Sequence, residues 1–435
     1  MPGEETVLSF EEFPYVGLAK TYCLDYQVPD SACTATAYLS GVKANLGTEG
    51  VNGYVGYGDC LASADPANHV NSVARWFQLA GRKSGLITTS RVTHASPGPL
   101  YAHSSHRDWE SDTDILLAGE DPNICPDIAS QLIDNAAGQG MSVIMGGGRG
   151  KFVPNNVNDI SGSPGQRSDG RNLVNEWLAQ KSGDGVFVSN KVGLDAVDTS
   201  NTEYLMGLFG YSHLQHNLDK PASQPSLAEM TEAAIKVLDN ANGYFLFVEN
   251  GHIDTAHHMT TAVKALDETA EFAKAVEKAL ELTDSEDTLI VVTSDHSHTM
   301  TLNGYQHRGH DVFGFGDVGD DGKPYASLSY ANGPAAFKQD PVTGDRYDLT
   351  NDDLSDKDYM YPSYVPTFME THAGDDVAVF CKGPWAHLCT GVIEQNLIPH
   401  IVAYAACVGE GRTSCDCSSH PSHSTSAAPS TTPEV

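Results

Sequence analysis

The sequence predicts an α/β fold: a central, mostly parallel sheet sandwiched by helices. Three observations carry this. Short apolar runs alternate with longer segments of helical periodicity, the pattern of a sheet whose crossovers are helices. The 435 residues suffice for one large α/β domain with an insertion, or for two domains. The composition, 40% apolar with only 19% charged residues, is that of a folded chain.

The strands expected are Ser142–Met145, Tyr244–Val248, Thr288–Thr293 and Asp376–Phe380, each a short apolar run bounded by polar residues. The clearest helix spans Ala262–Leu282. Its Val263, Leu266, Phe272, Ala273, Val276 and Leu280 make one broad apolar face at helical spacing, which is core rather than a binding surface. Between residues 304 and 370 the texture turns to Gly, Asp, Tyr and Pro with weak periodicity, as in an insertion within a domain covering residues 1–410. Residues 411–435 are Ser/Thr/Pro-rich and are expected to be a disordered tail.

A net charge of −32 argues against a nucleic-acid partner, because phosphate backbones call for a basic surface. An anionic substrate could be captured only where bound cations or an arginine reverse the local potential. No run approaches the roughly 18 apolar residues of a membrane-spanning helix. The opening MPGEETVLSF lacks the basic and apolar regions of a signal peptide, and the polar C-terminal stretch carries no glycolipid-anchor signal. Nine cysteines leave at least one thiol unpaired, and Cys33 is one candidate. Disulfides among the others would place the chain outside the cytosol.

Four stretches concentrate metal-competent residues where strands or turns end, the edge at which open α/β sheets build sites. In Asp30-Ser31-Ala32-Cys33-Thr34, a serine enters an apparent helix whose N-terminal amides and dipole favour an alkoxide or a phosphate; taken alone, the motif reads first as an ordinary N-cap. His94 and Ser96, followed by Arg107, offer metal or water-shell ligands and a guanidinium fork for a phosphoryl group. An apolar strand then delivers Glu249, with Asp254 and His258 four apart on one helical face, a spacing that chelates one ion. Asp295 and His296 end the next strand, and His372 precedes another. Together they supply nitrogen and oxygen ligands for two zinc ions, with Ser96 and Glu249 left for magnesium.

Taken together, DSACTATAYLSGVK, VTHASP, YAHSSHR, FLFVENGHID, TSDHSH and ETHAGDDVAVF resemble the animal alkaline phosphatases in order and spacing, from about Phe13 to Cys415. The resemblance implies a homodimeric phosphomonoesterase, extracellular or at the cell surface, that works through a phosphoserine at a two-zinc, one-magnesium site. Ser31 corresponds to the phosphorylated serine and Arg107 to the phosphate clamp. Asp254, His258 and His372 correspond to the ligands of one zinc, Asp295 and His296 to those of the second, and Ser96 and Glu249 to those of magnesium, with His94 close by. It also implies disulfides Cys60–Cys125 and Cys407–Cys415 and places residues 304–370 as a crown-like insertion at the dimer interface.

The sequence departs from the family in three places. Family members open with a strand ending in Asp-Gly whose aspartate bridges the second zinc and the magnesium, and nothing before Ser31 supplies it. This creates the alternative expectation of a truncated, weakly active or inactive form. Thr255 stands where mammalian members carry a histidine near the phosphate. In the calcium-binding region Phe209 is retained, but Gly210 and Gln224 replace acidic ligands, so no calcium site is expected.

Overall fold

The structure is a computed structural model, and it describes residues 3–337, 340 and 342–409. Nine strands form its two main sheets: β1 (Tyr15–Lys20), β2 (Lys83–Arg91), β3 (Val143–Gly147), β4 (Gly185–Val188), β5 (Tyr204–Leu208), β6 (Tyr244–Glu249), β7 (Ile290–Thr293), β8 (Val377–Lys382) and β9 (Gly391–Glu394). One sheet is parallel throughout, in the order β4-β5-β3-β2-β6. The other is mixed, in the order β9-β1-β8-β7, with β8 antiparallel to both of its neighbours.

The parallel sheet is covered on both faces, which is why its central strands are continuous apolar runs rather than alternating ones. On one face Leu86, Ile144 and Met206 pack with Trp76, Phe77, Ile128 and Leu132. On the other, Ile87, Val143, Met145 and Leu205 meet Met230, Ala234 and Val237 of the helix Leu227–Leu238. Adjacent residues of one strand thus serve opposite layers. The four expected strands and the long helix all form, with the helix at Ala262–Leu282 as expected. The strand ends shift by one or two residues, because hydrogen bonding to a neighbour, not apolarity, sets where a strand stops.

Four helices bear on the site or its surroundings: α1 (Ser31–Ser40), α2 (Leu227–Leu238), α3 (His252–His258) and α4 (Ala262–Leu282). Within residues 300–366, short strands Met300–Leu302, Leu328–Gly333 and Ser363–Pro366 make a small separate sheet.

The cysteines correct one expectation. Cys33 is not a free thiol: it is bonded to Cys23, whose Cα lies 5.6 Å away, within the reach of a disulfide. Cys60–Cys125 is formed as expected, and Cys381–Cys389 closes a short loop after β8. Cys407 is disulfide-bonded, and its expected partner Cys415 lies outside the described residues, as does the predicted tail.

Candidate active site

The site gathers where β6, β7 and α1 end or begin. Asp30 caps α1 in extended backbone and accepts from the Cys33 amide, so the helix starts at Ser31 with its remaining N-terminal amides exposed to an anion. Ser31 is 4% exposed, and its Oγ lies 3.1 Å from His296 Nε2. Arg107 Nη1 donates to Asp30 Oδ2 at 3.0 Å, and Arg107 Nη2 to His94 Nε2 at 3.3 Å. Burial, then the charges of Arg107 and Arg91, hold the His94 imidazole well below its usual range, so it is a neutral acceptor.

β6 delivers Glu249, and a two-residue turn leads into α3. The helical i, i+4 spacing then sets Asp254 Oδ2 3.4 Å from His258 Nε2. β7 delivers Asp295 and His296, whose Oδ2 and Nε2 are 3.1 Å apart. A short antiparallel pairing of Ser297–His298 with His372–Ala373 sets His372 opposite His298 and brings it into the site from about 75 residues downstream. His372 Nε2 is 3.3 Å from Asp254 Oδ1 and 3.2 Å from His258 Nε2. Ser96 is buried beside Glu249, which it hydrogen-bonds together with Thr88. Removal from water pushes the Glu249 carboxyl up to about 7, against those two bonds.

Every residue predicted to act as nucleophile, clamp or ligand therefore lies in this one region. The Thr255 hydroxyl donates to the Gly251 carbonyl within its own helical turn. In the region expected to lack calcium, Gln224 spends both ends of its amide on the backbone of Gln215.

Two site residues had been given no role. His298 Nε2 lies 2.7 Å from Asp254 Oδ1, and its Nδ1 lies 2.7 Å from Glu370 Oε2. Glu370 is fully buried and also accepts from the Thr299 amide and hydroxyl. Burial opposes charge on His298, but these two carboxylates raise it to about 9. A signal existed: His296 and His298, two apart in extended chain, share one face.

The donor set suits cations. One atom each from Asp254, His296, His298 and His372 falls within 4.8 Å of the others, as do atoms from His258, His298 and Glu370. The facing imidazole nitrogens of His258 and His372, 3.2 Å apart, suit an ion that accepts nitrogen and carboxylate ligands. The hydroxyl and carboxylate pair of Ser96 and Glu249 suits a hard ion.

A model of the alkaline phosphatase family matches residues 1–408. The chain belongs to that family. The membrane-bound alkaline phosphatase of Bombyx mori is 47% identical over 420 residues, 95% of this chain and 76% of that protein. The human tissue-nonspecific isozyme is 44% identical over 425 residues, 95% of this chain and 80% of that protein. The solved alkaline phosphatase from the Antarctic bacterium TAB5 shares the fold, with TM-score 0.63 at 20% identity over 93% of this chain and 92% of that one. Family membership makes the chain an alkaline phosphatase, a phosphomonoesterase, and implies metal cofactors.

Proposed function

We propose that the chain hydrolyses a broad range of phosphate monoesters through a phosphoserine at Ser31, in a centre for two zinc ions and one magnesium ion. The observation that carries this is Ser31 itself: a buried serine at a helix N-terminus, its Oγ 3.1 Å from His296 Nε2 among the clustered donors. Asp254, His258 and His372 would hold one zinc, Asp295 and His296 the second, and Ser96 and Glu249 the magnesium. When bound, the cations supply the positive charge that favours the serine alkoxide and offsets the phosphoryl oxygens.

The chain's own residues do the rest. Arg107, held by Asp30 and His94, presents its guanidinium to the phosphoryl oxygens. The N-terminal amides of α1 add donors beside the nucleophile. Ser31 Oγ bonds to phosphorus as the bond to the alcohol oxygen breaks; water then takes the phosphoryl group and restores the hydroxyl. Local cations reconcile an anionic substrate with a chain of net charge −32.

A homodimer outside the cell or at its surface fits this reading, supported by three disulfides and by exposed Tyr305, Tyr364 and Phe368 in the insertion-like region 304–370. No helix among the described residues is long and apolar enough to cross a membrane.

Hydrolysis of p-nitrophenyl phosphate with zinc and magnesium supplied tests the proposal. Ser31→Ala should abolish turnover and trapped phosphoserine while leaving zinc content nearly unchanged; normal turnover in that variant would sink it. The alternative is a weakly active or inactive form. Zinc uptake without turnover in the unaltered chain would select it.

A further inference from the structure

Three stacked rings stand beside the phosphate clamp and take no part in the phosphoryl transfer. Trp109 is buried, His106 stacks on it with ring centroids 5.3 Å apart, and Tyr57 lies over His106 at 4.4 Å. The stack ends on Tyr57, which is 57% exposed. His106 covers one face of the tyrosine ring, and one edge abuts Gly47, where any Cβ would collide with it. The exposure therefore falls on the far face. Gly47 also joins the stack to the clamp. Its amide donates to Asp30 Oδ1 at 2.9 Å, its carbonyl accepts from the Arg107 amide at 2.9 Å, and Asp30 Oδ2 holds the Arg107 guanidinium.

The hydrogen bonds leave Tyr57 a donor to spare. The Asp108 amide donates to His106 Nδ1 at 3.1 Å, so the neutral imidazole, which burial favours, carries its proton on Nε2. That Nε2–H donates to the Tyr57 oxygen at 2.7 Å, and the tyrosine's own O–H is not used in the bond.

We propose that Tyr57 is a specificity-determining residue, a platform on which an aromatic ring of the leaving group stacks while Arg107 holds the phosphoryl group. This rests on phosphate binding by Arg107 beside Ser31. The ring must be carried on a spacer. Asp30 and Gly47 stand between the guanidinium and Tyr57, so a ring bonded directly to the ester oxygen stays on the Arg107 side. A base held on a ribose spans the gap. The leaving group must also lack negative charge of its own. Exposed Asp108 follows Arg107 in the chain, and exposed Asp25 accepts from the Leu46 amide next to Gly47, so anionic groups there are repelled. A nucleoside 5′-monophosphate meets both conditions, and its base offers acceptors to the free O–H of Tyr57.

Calorimetry on the zinc- and magnesium-loaded Ser31→Ala chain tests the proposal without turnover. The probes are adenosine 5′-monophosphate, ribose 5-phosphate and inorganic phosphate. The base should make the nucleotide bind about tenfold tighter than the sugar phosphate. Adding Tyr57→Leu, which keeps an apolar side chain but no ring, should cut that ratio to about twofold or less. Tyr57→Phe should keep about fivefold or more, and phosphate binding in each variant checks that it is folded. Equal affinity for the two esters with Tyr57 in place, or a tenfold ratio that survives Tyr57→Leu, would overturn the proposal. A ratio lost in Tyr57→Phe as well would place recognition in the hydroxyl and overturn the stacking. Inorganic phosphate that fails to bind with Tyr57 in place would overturn the phosphate-site reading itself, a result distinct from any change in the ratio.

Discussion

One carboxylate joins Arg107 to the start of the helix that carries Ser31. Asp30 Oδ2 accepts from Arg107 Nη1 at 3.0 Å, while Asp30 Oδ1 accepts from the backbone amides of Cys33 and Gly47 at 3.3 and 2.9 Å. Asp30→Ala therefore removes a helix cap and releases the guanidinium in one step. Loss of the cap should cost about 1 kcal/mol, seen as a lower urea midpoint. A freed Arg107 binds phosphate in more orientations, so KM for p-nitrophenyl phosphate should rise by about threefold to tenfold. An unchanged KM would mean that Asp30 serves the helix alone.

How much of this was legible in the sequence depends on the range of the interaction. Asp254 and His258 could be paired from spacing alone, because four residues on a helix is a local distance. Asp295 and His296 could be placed because an apolar strand ends just before them. Their neighbourhood with His372 could not be read from periodicity, since it is made by a two-residue antiparallel pairing between distant segments. The resemblance supplied that link. Cys23–Cys33 escaped for a related reason: nothing in a ten-residue separation says that the loop folds back onto the first turn of α1. The mixed arrangement around β8 was also hidden, because an apolar run carries no mark of its direction.

Glu370 should prove to be a positioning residue for the metal ligands. It is fully buried and accepts from His298 Nδ1 at 2.7 Å and from the Thr299 amide at 2.6 Å. In Glu370→Leu those donors lose their acceptor, at a cost of about 2–4 kcal/mol in unfolding free energy. Carboxylates behind metal-ligating histidines typically account for about 10- to 100-fold in metal affinity, so zinc binding measured by competition with a chelator should weaken by that factor. Glu370→Gln, which keeps an acceptor oxygen, should recover part of both losses. Zinc affinity equal to that of the unaltered chain in the leucine variant would remove Glu370 from this role.

Acid should destabilise the fold partly through His103, which lies away from the metal ligands. Burial, then the His69 ring stacked 4.0 Å away, lower its imidazole to about 4, and its Nδ1 lies 2.6 Å from the Gly50 carbonyl. With the folded value below the unfolded one of about 6.5, the unfolded chain takes up the proton first as pH falls. This contribution is complete above about pH 6.5 and is lost progressively toward pH 4. Between pH 7.5 and pH 5 the loss amounts to about 2 kcal/mol. In His103→Gln the fall in unfolding free energy over that interval should be smaller by about this amount, measured by urea titration at fixed metal concentration. An equal fall in both proteins would assign the acid sensitivity to other groups.

The Cys23–Cys33 bridge fixes the first turn of α1 two residues after Ser31, so it should matter to stability and chemistry together. Closing a loop of ten residues removes unfolded-state entropy worth about 2–3 kcal/mol. The double variant Cys23→Ser, Cys33→Ser should lose about that much in urea unfolding. Its second effect is separable. Asp30 must cap the helix and hold Arg107 at once, and with the bridge gone the first turn can fray from that arrangement. The rate of Ser31 phosphorylation, followed as a burst of p-nitrophenol, should then fall while zinc content stays constant, because the zinc ligands lie on other segments. A burst of normal rate in a destabilised variant would show that the bridge protects the fold and leaves the nucleophile untouched.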